Sequence, residues 1–170
     1  KCLSRLIEIP HTYGVKIGMT ESYATALLLA LPIGNIVLQW PIGVMADSLN
    51  RRRLLAGLLL TCVICGAVMC LVGSHWIGLF ITLAFFAGAA TGTYTLGLVL
   101  LGERFKGAKV VAANAAFILM YGFGSLGSPV LSGVAMDVIG PIGFPIILTA
   151  IAATGLLVVI LRQEGVKTPS

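Results

Sequence analysis

The chain has 170 residues, 58% of them hydrophobic and only 10% charged, with 11 basic against 6 acidic side chains and a net charge of +5. A water-soluble domain carries roughly 25% charged residues, so this composition excludes an ordinary soluble fold: much of the surface must face lipid. The basic residues fall in short connections between apolar runs, so membrane topology accounts for the pI of about 9.3 and nucleic-acid binding is excluded as its cause.

Residues 1–22 come first and are the least apolar. Leu3–Ile9 is interrupted by Arg5 and Glu8, and Pro10 and Gly14 are expected to break any helix there. The stretch reads as an external segment or as the end of a truncated helix. The sequence opens at Lys1 in mid-pattern with no signal peptide ahead of the first span, as a fragment would.

Five runs then reach the roughly 20 residues that a helix needs to cross a bilayer. They are Tyr23–Ala46, Leu54–Gly73, Trp76–Leu101, Val110–Met136 and Ile142–Leu161, and none contains Asp, Glu, Lys, Arg or His. A continuous apolar run predicts a helix, since a barrel strand would alternate. The expected class is therefore an all-α, polytopic membrane bundle. Residues 162–170 form a tail.

The connections alternate in charge. Arg51, Arg52, Arg53, Arg104, Lys106, Lys109, Arg162 and Lys167 lie on one side, eight basic residues against Lys1, Arg5 and Lys16 on the other. The positive-inside rule puts the arginine loop and the C-terminus in the cytoplasm, most simply across a bacterial inner membrane.

The spans differ in polarity. The second and fifth offer little besides Thr61, three cysteines, Thr149 and Thr154, and read as lipid-facing. The first carries Asn35 and Gln39 four residues apart, on one face. The third carries Tyr94 among three threonines. In the fourth, Asn114, Tyr121, Ser125, Ser128 and Ser132 share a sector of roughly 60° at 100° per residue. Two readings fit that stripe. Serines beside Gly122, Gly124 and Gly127 suit close helix packing. The amides and the tyrosine suit a water-filled cavity, and Asn35, Gln39, Tyr94, Asn114 and Tyr121 are the candidate substrate contacts.

Between the first two spans stands Gly43-Val-Met-Ala-Asp47-Ser-Leu-Asn-Arg51-Arg52-Arg53. Asp47 ends a helix, where the macrodipole disfavours an acid. A partner is expected for it, among the arginines or at a neighbouring helix N-terminus. Gly43 is expected to admit another helix closely.

This loop resembles the signature of the major facilitator superfamily, Gly-x-x-x-Asp-Arg/Lys-x-Gly-Arg-Arg/Lys, found between helices 2 and 3 and echoed between helices 8 and 9. Gly43, Asp47, Arg51 and Arg52 match; Ser48 replaces a base and Asn50 a glycine, departures expected to weaken the loop. Gln39-Trp40-Pro41-Ile42-Gly43 and Ala113-Asn114-Ala115-Ala116, leading to Gly124-Ser-Leu-Gly-Ser-Pro129, are also similar to family sequence. Within the family the chain looks most like the YcaD-like branch. The resemblance implies one half of a bundle with inverted three-helix repeats, here helices 8–12, although helices 2–6 would fit the charges too. The pentapeptides Gly43-Val-Met-Ala-Asp47 and Gly133-Val-Ala-Met-Asp137 end spans that are equivalent under that symmetry.

The implied function is secondary active transport of a small solute by alternating access, with Gly43, Asp47, Arg51 and Arg52 as a conformational gate. The partners expected are lipid, a neutral or amphipathic solute and the other half of the transporter. A non-transporting membrane subunit or truncated remnant is the alternative. No enzyme activity, metal or cofactor is expected. Cys62-Val-Ile-Cys65 lies at mid-membrane without a cation to favour a thiolate, and His11 and His75 have no companion ligands. No span carries an acid for proton coupling, and Glu21 and Glu103 at the ends read as interfacial.

Overall fold

The computed structural model describes residues 9–72 and 75–164. Cys2, the run before Ile9 and the last six residues of the expected tail lie outside the described residues. Six helices follow in order: α1 (Ile9–Lys16), α2 (Glu21–Ser48), α3 (Arg51–Val72), α4 (Trp76–Arg104), α5 (Ala108–Ile139) and α6 (Gly143–Glu164). There is no strand among the described residues.

Helices α2 to α6 are the five long apolar ones. The shortest, at 22 residues, rises about 33 Å, enough for a hydrocarbon core of about 30 Å. Helix is the outcome there because lipid cannot satisfy a peptide group and a helix pairs each one internally. The helices stop where side chains or glycine supply another arrangement. Gly107 and Gly140 take φ of 61° and 78°, flanking α5 at both ends.

Two expectations about local structure are corrected. Pro10 and Gly14 do not prevent a helix: α1 runs through both. Proline is tolerated in a first turn, where its missing N–H has no helical acceptor to serve. Gly14 is buried, and a Cβ there would lie 3.0 Å from Ala24 Cβ, so its role is to seat α1 on α2. The Asn50 departure also does not loosen the arginine loop. Asn50 Oδ1 accepts a bond from the Arg52 N–H at 3.1 Å, and its carbonyl accepts one from Leu54 N–H at 3.0 Å. Asparagine is a favoured N-cap for this geometry. Ser48 Oγ donates back to the Val44 carbonyl at 3.1 Å.

The packing centres on α2 against α4, with α3 wedged between α4 and α6, α1 against α2, and α5 joined chiefly to α6. Two cores form at opposite ends of the bundle. One gathers Tyr13, Leu27, Met69, Leu79, Met136 and Phe144, and the other Ile42, Leu54, Leu58, Cys62, Leu96 and Ala152. Cys62 and Cys65 are buried and unbridged.

Helices α2 and α4 touch through backbone. A Cβ on Gly34 would collide with the Ala84 carbonyl, and one on Gly88 with Leu38 and the Gly34 carbonyl. On Gly92 it would stand 2.7 Å from Ile42 Cδ1. Only glycine permits that approach. By contrast α5 buries only Ser132 and Met136. The outward sides of α3 and α6 are aliphatic, with Leu60, Ile64 and Leu71 on α3 and Ile151, Leu157 and Val158 on α6.

Candidate functional site

Hydrogen bonding separates the polar residues of the spans into two kinds. Thr61, Thr82, Thr91, Thr93, Thr95, Thr149 and Thr154 each donate to the carbonyl four residues earlier, at 2.7–3.1 Å. Such a hydroxyl is satisfied by its own helix and can face lipid or protein alike. Asn35 and Gln39 satisfy each other in part, Gln39 Nε2 donating to Asn35 Oδ1 at 3.0 Å. Nothing of this kind serves α5: Asn114, Tyr121, Ser125 and Ser128 make no side-chain hydrogen bond among the described residues. Pro129 adds to the deficit, because it has no N–H to give the Ser125 carbonyl. An unpaired amide or hydroxyl in hydrocarbon costs several kcal/mol, about 4 or more on alkane-like scales.

Among the described residues the three serines differ in their packing. Only Ser132 is buried, at 1% exposure, while Ser125 is exposed and Ser128 half-buried. A Cβ on Gly122, Gly124 or Gly127 would meet nothing within 4 Å. No helix among the described residues uses those glycines for close approach.

Two of the five candidate substrate contacts, Tyr94 and Tyr121, meet across α4 and α5. Tyr94 on α4 packs against Tyr121 on α5, with ring centroids 4.7 Å apart and planes at 53°. It also packs against Phe117, at 5.4 Å and 40°. Asn114 is one turn before Phe117 on the same helix. Asn35 and Gln39 are half-buried on α2, and no hydrogen bond or ring contact joins them to this group. Phe117 was missed by a reading confined to polar residues, yet its spacing of three from Asn114 and four from Tyr121 already put it beside them.

The gate residues are gathered at the junction of α2 and α3. Arg51 Nη1 donates to Glu103 Oε1 at the end of α4, and Arg51 Nε donates to the Ala46 carbonyl at 3.3 Å. Asn50, Arg51, Arg52, Leu100 and Glu103 line a shallow pocket here. The partner expected for Asp47 is not found: Asp47 is exposed and makes no ion pair or side-chain hydrogen bond among the described residues. Arg51 instead bridges Glu103 and the Ala46 carbonyl at the α2 C-terminus, the end of a helix that favours a cation. Gly43 is likewise exposed, and a Cβ there meets nothing within 4 Å.

A second ion pair stands at the opposite end of the bundle. Lys16 Nζ donates to Asp137 Oδ1 at 2.8 Å. Asp137 ends the second copy of the Gly-x-x-x-Asp pentapeptide. If α1–α3 and α4–α6 are taken as the two three-helix units, each ion pair links one unit to the other. The two links lie at opposite ends. Sequence reasoning placed Lys16 with Asp137 on one side and Arg51 with Glu103 on the other, but saw neither pair, since charge patterning gives side and not distance.

Five long apolar helices, with charge confined to their ends, define an integral multi-pass membrane protein. The sequence profile of the Major Facilitator Superfamily matches residues 7–170. The chain is 30% identical over 124 residues to YfkF of Bacillus subtilis, an uncharacterized MFS-type transporter, covering 71% of this chain and 31% of that protein. It is 27% identical over 153 residues to the MFS-type transporter YE1530 of Yersinia enterocolitica, covering 89% of this chain and 39% of the relative. No solved structure matches. The chain belongs to the Major Facilitator Superfamily, and it spans between three- and four-tenths of the length of these relatives.

Proposed function

We propose that this chain supplies one wall of the solute path in a secondary transporter that works by alternating access, the facing wall coming from residues outside it. The α5 stripe carries the reading. Asn114, Tyr121, Ser125 and Ser128 make no side-chain hydrogen bond among the described residues over about 21 Å of helix, and the carbonyl released by Pro129 joins them. Lipid offers no partner for these groups, whereas water or a polar solute does. Asn35 and Gln39 offer the same kind of chemistry on α2, because their mutual bond leaves amide donors and an acceptor unused.

The arginine loop acts as the gate in this proposal. Arg51 is held by Glu103 and α3 starts from an Asn50 cap, so the loop is a fixed platform. It presents Asp47, Gly43 and Arg52 to the opposite half, where Asp47 finds its partner when the path is shut at that end. With Arg51, Arg52, Arg53, Arg104, Lys106, Lys109 and Arg162 at the Arg51 end, that end faces the cytoplasm of a bacterial inner membrane. The solute is small, and the chain itself carries out no bond-making chemistry.

Single-cysteine labelling tests the path in the intact protein. Cysteines at Asn114, Ser125 and Ser128 should react with a charged thiol reagent, while those at Leu119, Phe123 and Val130 should not. Equal inertness of both sets would sink the cavity.

A further inference from the structure

We propose that the Tyr94–Phe117–Tyr121 group is a binding platform for an uncharged aromatic solute. This rests on the transport reading above and narrows its substrate class. The platform is built by two helices that otherwise meet lightly. Gly97 makes room for it: a Cβ there would lie 3.0 Å from Phe117 Cζ, so the ring lies against the α4 backbone. Tyr94 fills the junction, tilted at 40° to Phe117 and 53° to Tyr121. Tyr121 is left 56% exposed. Offset or tilted ring pairs are the arrangement that aromatic quadrupoles favour.

The surroundings select against other classes. No charged residue occurs in 22–46, 54–72, 76–102 or 110–136, so an ion entering this wall would shed water without meeting a counter-charge. A polyol fares little better. The hydroxyls of Thr82, Thr91, Thr93 and Thr95 are spent on backbone carbonyls, which leaves a few amides, the phenols and the Ser125 and Ser128 hydroxyls as the donors of this wall. An uncharged ring with one or two polar substituents uses what remains: the exposed Tyr121 ring, the Asn114 amide and the unpaired phenols. Sites for such ligands are typically apolar and aromatic, with few polar groups to set orientation.

The test uses the intact protein in proteoliposomes, with its cysteines replaced and Ser125→Cys introduced one turn from Tyr121. The rate of modification by a charged methanethiosulfonate is followed in the presence of indole or chloramphenicol (uncharged aromatics), tetraphenylphosphonium (an aromatic cation) or sorbitol (a polyol). Indole and chloramphenicol should slow the reaction and the other two should not. Tyr121→Phe should preserve protection, while Tyr121→Leu should raise the half-protecting concentration roughly three- to tenfold, the worth of one ring contact. Protection by sorbitol or tetraphenylphosphonium in place of the uncharged aromatics would overturn the proposal, as would no protection or protection indifferent to Tyr121→Leu. A cysteine at 125 inert under all conditions would instead remove the wet path itself, a failure distinct from a reactive cysteine that indole leaves unprotected.

Discussion

Helices α4 and α5 are both rich in glycine, and they use it in opposite ways. Gly88 and Gly92 on α4 have no space for a side chain, because α2 is pressed against them with Gly34 facing back. Gly122, Gly124 and Gly127 on α5 face open space. The same small-residue pattern thus marks a completed contact in one helix and an uncovered face in the other. Glycine spacing signals that backbone can be approached; it does not say what approaches. In α4 the approaching helix lies within the chain, and the interface is finished. On α5 the uncovered glycines share a helix with Asn114, Tyr121 and Ser125, which make no side-chain hydrogen bond among the described residues, so whatever covers that helix lies beyond them.

The largest effect is expected at the finished interface. Gly34→Ala puts a methyl where the Ala84 carbonyl already stands, and two helix backbones must separate to admit it. The destabilisation should reach about 3 kcal/mol or more, at the upper end of overpacking costs. It would be seen as a lowered unfolding temperature in detergent and loss of monodisperse protein. Gly92→Ala should cost less, about 1–2 kcal/mol, because the obstruction is the movable end of the Ile42 side chain, 2.7 Å from the new Cβ. If both variants unfolded at the wild-type temperature, α2 and α4 would not be in backbone contact.

Next come the two ion pairs that cross between the three-helix units. Glu103→Gln and Asp137→Asn should each change stability by about 0.2–1 kcal/mol, since the partners are substantially exposed. Their effect on conformation should be larger than that figure suggests. In the proposed alternating-access cycle a link at one end of the bundle would bias which end opens, so the two substitutions should shift cysteine accessibility in opposite senses. Shifts in the same sense would show that the links are not opposed. Asp47→Asn should raise stability slightly in this half, by about 0.3–1 kcal/mol, because it removes an acid from a helix C-terminus where it has no partner among the described residues, and it should still alter the state distribution of the intact protein.

Much of the fold was legible because lipid imposes few solutions. Uncharged runs of 20 or more residues specify helices, and the five long helices follow them, ending within about three residues of the expected limits at each described end. The ends carrying Asn50, Gly107 and Gly140 are set by local chemistry that single residues reveal. What the pattern could not give was distance between helices. Asn114, Tyr121 and Tyr94 were recognisable one by one, but the ring contact across α4 and α5 depends on Gly97, whose role appears only once Phe117 lies over it. Asp47 shows the same limit from the other side. Its position against the helix dipole predicted a partner, and electrostatics cannot say that the nearest arginine is already held by Glu103.

The smallest expected effect is also the sharpest for the contrast between α4 and α5. Gly124→Ala replaces a glycine in open space within a helix, where alanine is the better helix former by about 1 kcal/mol. Nothing among the described residues opposes the methyl group. Expressed with the intact protein, it should therefore be neutral or slightly stabilising if that face is open to a path, with solute flux retained. Were another helix seated on Gly124 as α2 is seated on Gly88, the same methyl would destabilise the protein by about 1–3 kcal/mol. Unfolding temperature alone separates these outcomes by sign. A loss of stability would assign the glycines of α5 to packing against the facing half and confine the wet face to the flank bearing Asn114, Tyr121 and Ser125.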